Sequence, residues 1–191
     1  TVNYASSNAT AAAGSDYTAA SGTVTIAAGA TSATFNVPVL VDTLDEASET
    51  ATLTLSSASN ASISDATGTL TIVDEDAAPS LSINNNAMTE DAANLSFTVT
   101  LSAASSKEIT VNYAAADITA IGAYGGGTDY RPVSSTALTF AAGETSKTID
   151  VFVWEDAAVE STETFAVNLT SPSNATISDS QGIGTIYNDD V

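Results

Sequence analysis

Two short segments of this sequence are crowded with carboxylates, which bind hard cations and also perform acid–base catalysis. Residues 153–165 read VWEDAAVESTETF, and residues 39–51 read VLVDTLDEASETA. Their acids are Glu155, Asp156, Glu160, Glu163, Asp42, Asp45, Glu46 and Glu49. Each segment is a hydrated acidic turn, a source of catalytic carboxylates such as glycosidases use, or part of a cation site.

The two acidic segments belong to an internal repeat. Residues 27–76 align without a gap with residues 141–190, at an offset of 114, and 24 of the 50 aligned pairs are identical. A constant offset over this length indicates two copies of one domain. Because proline cannot extend a strand, Pro79 ends the segment that joins the copies. We predict a first domain over 1–76, a linker over 77–79 and a second domain over 80–191.

Composition excludes several classes of function. The net charge is −20, and Lys107, Arg131 and Lys147 are the only basic residues, so the chain lacks the basic surface that nucleic acids require. Cysteine and histidine are both absent, which excludes disulfides, thiolate metal sites and most zinc, copper and iron sites. No apolar run is long enough for a membrane span. A cation that neutralises part of the charge remains as a partner.

Apolar and polar residues alternate with a period of two in both copies, which predicts half-buried strands. In the second copy we predict strands at 80–84, 95–102, 108–114, 135–141, 146–154, 162–170 and 182–188. In the first copy we predict strands at 1–5, 22–26, 32–41, 49–58 and 67–73. Seven short antiparallel strands over about a hundred residues are typical of an immunoglobulin-like sandwich. The predicted fold is therefore all-β, with two tandem immunoglobulin-like antiparallel β-sandwiches, the first lacking its first two strands.

The missing strands leave the predicted strand at 32–41 without a neighbour. One explanation is that residues 1–191, which begin at Thr1 without a methionine, are a piece cut from a longer chain. The other is that an identical neighbouring chain supplies the strands by β-strand addition, as in a filament. Both remain open at the level of the sequence.

Most acids lie where predicted strands end. The loops after the first, third and fifth strands of such a sandwich share one pole with the end of the seventh strand. Of the 23 acids, 17 lie in the corresponding clusters of the two copies. Those of the second copy are Glu90, Asp91, Asp129, Glu155, Asp156, Glu160, Glu163, Asp189 and Asp190. Neighbouring carboxylates repel by about 1–4 kcal/mol per pair. The pattern favours Ca²⁺ over Mg²⁺, because Ca²⁺ takes about six to eight oxygen ligands in flexible geometry.

Several motifs occur in order in the second copy. They are TVNY at 110–113, GTDY at 127–130, FAAGET at 140–145, ED at 155–156, ESTETF at 160–165 and NDD at 188–190. In this order, and with echoes in the first copy, the sequence resembles tandem Calx-beta domains. The resemblance implies Ca²⁺ ligands at Glu90, Asp129, Glu155, Asp156, Glu160, Glu163, Asp189 and Asp190. For the first copy it implies Asp16, Asp42, Glu46, Glu49, Asp74, Glu75 and Asp76.

The sequence departs from the family pattern at three places. Val41 stands where the first acid of a pair is expected, Asn188 replaces the first acid of the final triplet, and the first copy has no counterpart of Glu90. We therefore expect the first copy to bind fewer ions, or to bind them more weakly.

A non-catalytic role is the expectation for function. We expect a calcium-binding adhesive or stiffening repeat of a larger extracellular protein or fibre on a bacterial surface, because Asp74, Glu75 and Asp76 run directly into the linker. Neighbouring repeats are the expected partners. The alternative is a calcium sensor that changes interdomain geometry. A carbohydrate-active domain is a third reading with little support, because Trp154 is the only tryptophan and is expected to pack at a strand end.

Overall fold

The structure is a computed structural model that describes residues 1–90, 93–124 and 128–191. It divides into two compact units, Thr1–Asp76 and Ala77–Val191. Strands are the regular elements of both units. Over the described ranges, no helix is long and apolar enough to cross a membrane.

The first unit is built on one antiparallel sheet. Its strands are β1 (Val2–Asn8), β2 (Ser21–Val24), β3 (Glu49–Ser56) and β4 (Thr67–Ile72). They are arranged in the order β2-β1-β3-β4. Tyr4 of β1 stacks on Phe35, with ring centroids 4.1 Å apart, and this contact holds the segment around Phe35 against the sheet. The buried core of this unit is small and consists of Ala11, Tyr17 and Ala51.

The second unit is a sandwich of two sheets. One sheet has the order β10-β7-β5-β12 and the other the order β6-β13-β11-β8-β9. The strands are β5 (Ser80–Ile83), β6 (Asn86–Thr89), β7 (Asn94–Leu101), β8 (Ile109–Asp117), β9 (Thr136–Phe140), β10 (Ser146–Phe152), β11 (Glu163–Ser173), β12 (Thr176–Ile177) and β13 (Gln181–Tyr187). Alternate residues of β7, among them Leu95, Phe97 and Val99, are buried between the sheets, as the period of two predicts.

The all-β, immunoglobulin-like prediction is confirmed, and each of the seven strands predicted for the second copy overlaps an observed strand. The sheets are not purely antiparallel, because β5 pairs with β12 in parallel and β6 pairs with β13 in parallel. Neither β6 nor β12 was predicted. Their sequences, NAMT and TI, are too short to show alternation, and backbone pairing at the sheet edges defines them.

The predicted strand at 32–41 is wrong. Residues 32–38 belong to no strand, and Val39 makes only an isolated bridge with Tyr17. In the second unit the equivalent strand β10 pairs along its whole length with β7. Since the first unit contains no counterpart of β7, residues 32–38 have the apolar alternation of a strand without the partner that a strand requires. The first unit therefore forms one sheet instead of two.

Two equivalent glycines provide a test of this difference. A Cβ atom at Gly182 of β13 would lie 2.6 Å from the carbonyl oxygen of Asn84 and 3.1 Å from Phe97, whereas at Gly68 of β4 it would meet only Leu53, at 3.9 Å. We expect Gly182→Ala to destabilise the second unit by about 1–3 kcal/mol, because overpacked cores shift the backbone. We expect Gly68→Ala to change stability by less than about 0.5 kcal/mol. Thermal and chemical unfolding would measure both, and equal losses would contradict the open face of the first unit.

Candidate metal centre

Four loops bring carboxylates together at one end of the second unit. Glu90 follows β6, Asp129 lies between β8 and β9, Glu160 lies between β10 and β11, and Asp189 and Asp190 follow β13. Carboxylate oxygens of Glu90, Asp129 and Glu160 lie within 4.8 Å of one another, as do those of Glu90, Asp189 and Asp190. Glu90 belongs to both groups and is only 4% exposed. Segments far apart in sequence thus meet around one buried glutamate.

The remaining candidate ligands of the second unit differ in their placement. Glu163, at the start of β11, is hydrogen-bonded to Asp129, and Asp156 lies close enough to raise the pKa of Glu90. Glu155 is exposed and belongs to neither three-residue group. Asp91 lies outside the described residues. The structure therefore places Asp156 and Glu163 at the cluster.

Asp129 is held in position by the protein itself. The Ile121 N–H donates to its carboxylate at 2.5 Å, and its main-chain carbonyl accepts a hydrogen bond of 2.9 Å from the Trp154 N–H. The adjacent Tyr130 is 1% exposed, and its hydroxyl donates to Asp117 at 2.6 Å. The buried ring anchors the loop, so the carboxylate is in place before any ion binds.

The first unit repeats this arrangement around Asp16. The Ala12 N–H donates to the Asp16 carboxylate at 2.6 Å, and the Asp16 carbonyl accepts a hydrogen bond of 2.9 Å from the Leu40 N–H. The buried Tyr17 donates its hydroxyl hydrogen to Asn8 at 2.8 Å. Both tyrosines beside the loop aspartates are thus buried and hydrogen-bonded within their own unit.

Asn188 has a structural function that the sequence did not reveal. Its side-chain oxygen accepts a hydrogen bond of 2.8 Å from the Glu160 N–H. In the first unit, the carboxylate of Asp74 accepts the equivalent bond, 3.1 Å long, from the Glu46 N–H. A side-chain oxygen is all that this contact requires, so asparagine replaces aspartate there with one negative charge fewer.

The first unit forms a second acidic cluster. Carboxylate oxygens of Asp16, Glu46 and Glu49 lie within 4.8 Å of one another. The three residues line an open cavity of about 350 Å³. The other candidate ligands of this unit line the same cavity; they are Asp42, Asp74, Glu75 and Asp76. All seven candidate residues of the first copy are thus gathered at one place.

Asp45 is a residue that the predicted ligand set omitted. It is 3% exposed, and its charge contributes to the raised pKa of Asp76. The only sequence signal was its place between Asp42 and Glu46. Its counterpart in the second copy is Val159, which is 69% exposed. Because valine cannot bind a cation, comparison of the two copies argued against Asp45 as a ligand.

Burial and mutual repulsion make both clusters electrostatically unfavourable without a counter-ion. Burial, then the charges of Asp156 and Glu160, raises the pKa of Glu90 to about 7. Burial, then the hydrogen bond to Asp129, raises the pKa of Glu163 to about 7. In the first unit burial and neighbouring acids raise the pKa of Glu46.

One carboxylate oxygen of Asp190 is buried without a hydrogen-bond partner. Buried polar oxygens in proteins are normally satisfied, so this atom points to a ligand. The donors around it are carboxylate oxygens, which suit Ca²⁺ and not a softer metal. Glu90, Asp129, Glu160 and Asp190 would hold the ion, which would supply the positive charge that the cluster lacks.

A family model of Calx-beta domains matches residues 1–76 and again residues 74–189. The chain belongs to the Calx-beta family. The tandem Calx-beta prediction is thereby confirmed, and so is the prediction of Ca²⁺ as the ion, with which the acidic clusters are consistent. No curated protein shows significant similarity to this Calx-beta chain.

Solved structures similar to this Calx-beta chain include the apo form of the Calx CBD1 domain. That structure has a TM-score of 0.50 and 21% identity, covering 58% of this chain and 98% of the other. The structure of CBD12 from CALX1.2 has a TM-score of 0.47 and 19% identity, covering 97% of this chain and 86% of the other. The likeness to CBD1 shows the fold alone.

Proposed function

We propose that this chain is a non-catalytic, calcium-binding repeat that stiffens a larger extracellular protein or fibre at a bacterial cell surface. The observation that carries the proposal is the position of Asp76. It lines the acidic cavity of the first unit, and the second unit begins at the next residue, Ala77. An ion held by Glu46 and Asp76 would therefore bind the last residue of one repeat to that repeat's own loop.

The electrostatics of the first cluster support this mechanism. The charges of Asp42, Asp16, Asp74 and Asp76 add to the burial that raises the pKa of Glu46. Without a cation, repulsion drives the end of the first unit away from this loop. With a cation bound, the same carboxylates are all attracted to the ion. The chain that leads from Asp76 to Ala77 then has less conformational freedom. Neighbouring repeats of the same protein are the partners in this proposal.

The extracellular location is part of the proposal and rests on the affinity expected of such modules. Extracellular calcium modules have dissociation constants of about 10⁻⁴–10⁻³ M, so they stay loaded outside the cell. A cluster in which Glu90 and Glu163 have pKa values of about 7 must lose protons to bind Ca²⁺, which weakens binding near neutral pH.

Two other hypotheses from the sequence have less support. Trp154 donates its indole N–H to the Ala123 carbonyl at 3.2 Å and contacts Phe152 edge to face, so it is engaged within the protein and not presented as a sugar platform. Strand addition between identical chains has no support, because β5 and β7 are already paired within the second unit.

A calcium titration of residues 1–191, followed by small-angle scattering and calorimetry, tests the stiffening role. We expect the scattering profile to become that of a more extended, less variable particle near millimolar Ca²⁺. Asp76→Asn should weaken this change at least several-fold, whereas Asp65→Asn, the same substitution outside the acidic cavity, should not. No change in shape at saturation would contradict the proposal.

The calcium sensor is the second candidate, and the same titration separates it. A sensor responds at about micromolar Ca²⁺, as intracellular signals require. A sharp change in interdomain geometry in that range would favour the sensor over the stiffening repeat.

A further inference from the structure

A threonine in the segment between β8 and β9 is hydrogen-bonded to the beginning of β11. The Thr164 N–H donates to the hydroxyl oxygen of Thr119 at 2.8 Å. The N–H groups of Thr119 and Ala120 both donate to the Thr164 carbonyl, each at 2.9 Å. We call this set of hydrogen bonds between Thr119, Ala120 and Thr164 the threonine clamp. It ties two segments that are distant in the sequence to each other.

The threonine clamp connects two acids of the second cluster. Thr164 directly follows Glu163 in the sequence. On the other side of the clamp, the residue after Ala120 is Ile121, whose N–H donates to the Asp129 carboxylate at 2.5 Å. Asp129 and Glu163 are also hydrogen-bonded to each other. The clamp therefore fixes the backbone that supports both carboxylates.

The first unit contains the same clamp. The Thr50 N–H donates to the hydroxyl oxygen of Thr10 at 2.7 Å, and the Ala11 N–H donates to the Thr50 carbonyl at 2.8 Å. Thr50 directly follows Glu49. The N–H of the residue after Ala11 donates to the Asp16 carboxylate at 2.6 Å. Each unit thus supports an equivalent pair of acids with an equivalent threonine.

The spacing of the two copies shows which part of this loop is kept constant. Residues 10–13 correspond to residues 119–122 at an offset of 109, and both copies read Thr-Ala at the clamp. Asp16 and Asp129 are offset by 113, so the four additional residues of the second copy lie after residue 122. The loop differs in length outside the clamp and not within it. A constant clamp beside a variable loop indicates a role for the clamp at the acids that it supports.

We propose that Thr119 in the second unit, and Thr10 in the first, are positioning residues for Ca²⁺. The hydroxyl of Thr119 holds the start of β11, and with it Glu163, against the segment that orients Asp129. Calcium requires several oxygen ligands at about 2.3–2.6 Å at the same time, so carboxylates that are already in place bind it more tightly. This inference rests on calcium binding by the acidic clusters and not on the stiffening role.

Tryptophan-sensitised terbium luminescence of residues 1–191 tests the proposal in the second unit. Tb³⁺ is a hard cation that takes oxygen ligands as Ca²⁺ does. Trp154 is the only tryptophan, and its main-chain N–H donates to the Asp129 carbonyl at 2.9 Å. Excitation at wavelengths that tyrosine does not absorb therefore reports on the second cluster.

Thr119→Val removes the hydroxyl group at an exposed position, so it leaves no cavity in the core. We expect it to raise the Tb³⁺ concentration at half-saturation by about tenfold, as the loss of a group that supports a metal ligand does. Luminescence decay in H₂O and in D₂O measures the number of water molecules on the ion. This number should rise by about one, because water replaces a carboxylate oxygen that is out of position.

Two further variants separate positioning from packing. Thr119→Ser keeps the hydroxyl group and should retain the half-saturation of the unchanged chain to within about twofold, with the same number of water molecules. Thr139→Val, the same substitution at an exposed position of β9, should alter neither quantity. The proposal is overturned if Thr119→Val changes neither quantity, or if Thr119→Ser has the same effect as Thr119→Val.

The same experiment distinguishes this inference from the stiffening role. If the unchanged chain gives no sensitised signal, the positioning role fails together with calcium binding by the second cluster. If the signal depends on Thr119 as expected while small-angle scattering shows no change in shape with Ca²⁺, the positioning role stands and only the stiffening role fails.

Discussion

We expect calcium to raise the melting temperature of the second unit and Glu90→Gln to remove most of that increase. At a free Ca²⁺ concentration a hundredfold above the dissociation constant, one ion adds about 2.7 kcal/mol to the free energy of unfolding, equivalent to about 10 °C for a domain of this size. Glu90 has the largest expected effect because it belongs to both groups of carboxylates and is buried among them. Calorimetric melting with and without Ca²⁺ measures the change.

The matched control is Glu108→Gln, the same substitution at an exposed acid outside both clusters. It should leave the calcium-dependent increase intact. In calcium-free buffer Glu90→Gln should stabilise the second unit or leave it unchanged, because it removes a buried charge that its neighbours repel. Equal destabilisation with and without Ca²⁺ would mean that Glu90 supports packing and not an ion.

Without calcium, we expect the second unit to be more stable at about pH 5 than at about pH 8. The pKa of Glu90 and of Glu163 rises from an ordinary 4.5 to about 7 on folding. The folded state therefore holds more protons than the unfolded state between these values. The stability associated with these protons is fully present below pH 4.5 and is lost as the pH rises through 7.

Calcium reverses this trend, because it binds the deprotonated carboxylates. Urea unfolding over this pH range, in calcium-free buffer and at saturating Ca²⁺, measures both slopes. The absence of histidine removes the side chain that ordinarily titrates here, so the signal belongs to the acidic cluster. The double variant Glu90→Gln, Glu163→Gln should flatten the calcium-free slope. Stability that rises with pH in calcium-free buffer would contradict the buried cluster.

Strands were predictable wherever the chain contains both a strand and its partner. The alternation in SFTVTL produced β7 as expected, because one face is buried against the opposite sheet. The same alternation at 32–38 did not produce a strand, since the hydrogen bonds of a ladder come from another segment. The apolar–polar alternation predicts which side chains of a strand would be buried. Whether the strand forms depends on the presence of a partner such as β7.

The residue types of the candidate site, and the end of the sandwich at which it lies, were predictable from the sequence. Which carboxylates meet inside the site was not. Glu155 and Glu160 are both exposed acids of one segment, yet carboxylate oxygens of Glu160 lie close to those of Glu90 and Asp129, whereas Glu155 belongs to neither three-residue group. Asn188 counted as a defect in the ligand pattern and proved to be the acceptor that fixes the loop of Glu160.

The sequence by itself determined the family, the two copies, the all-β class and the choice of a hard cation, because these depend on residue types and on their order. Only the tertiary structure decided which carboxylates meet, that Glu90 is buried at their centre, and that the first copy has an open face. Distances between loops and the burial of a charge arise from segments far apart in the chain. Charge repulsion depends on those distances, and desolvation depends on burial. The raised pKa values in the acidic segments therefore follow from the fold and not from the segments themselves.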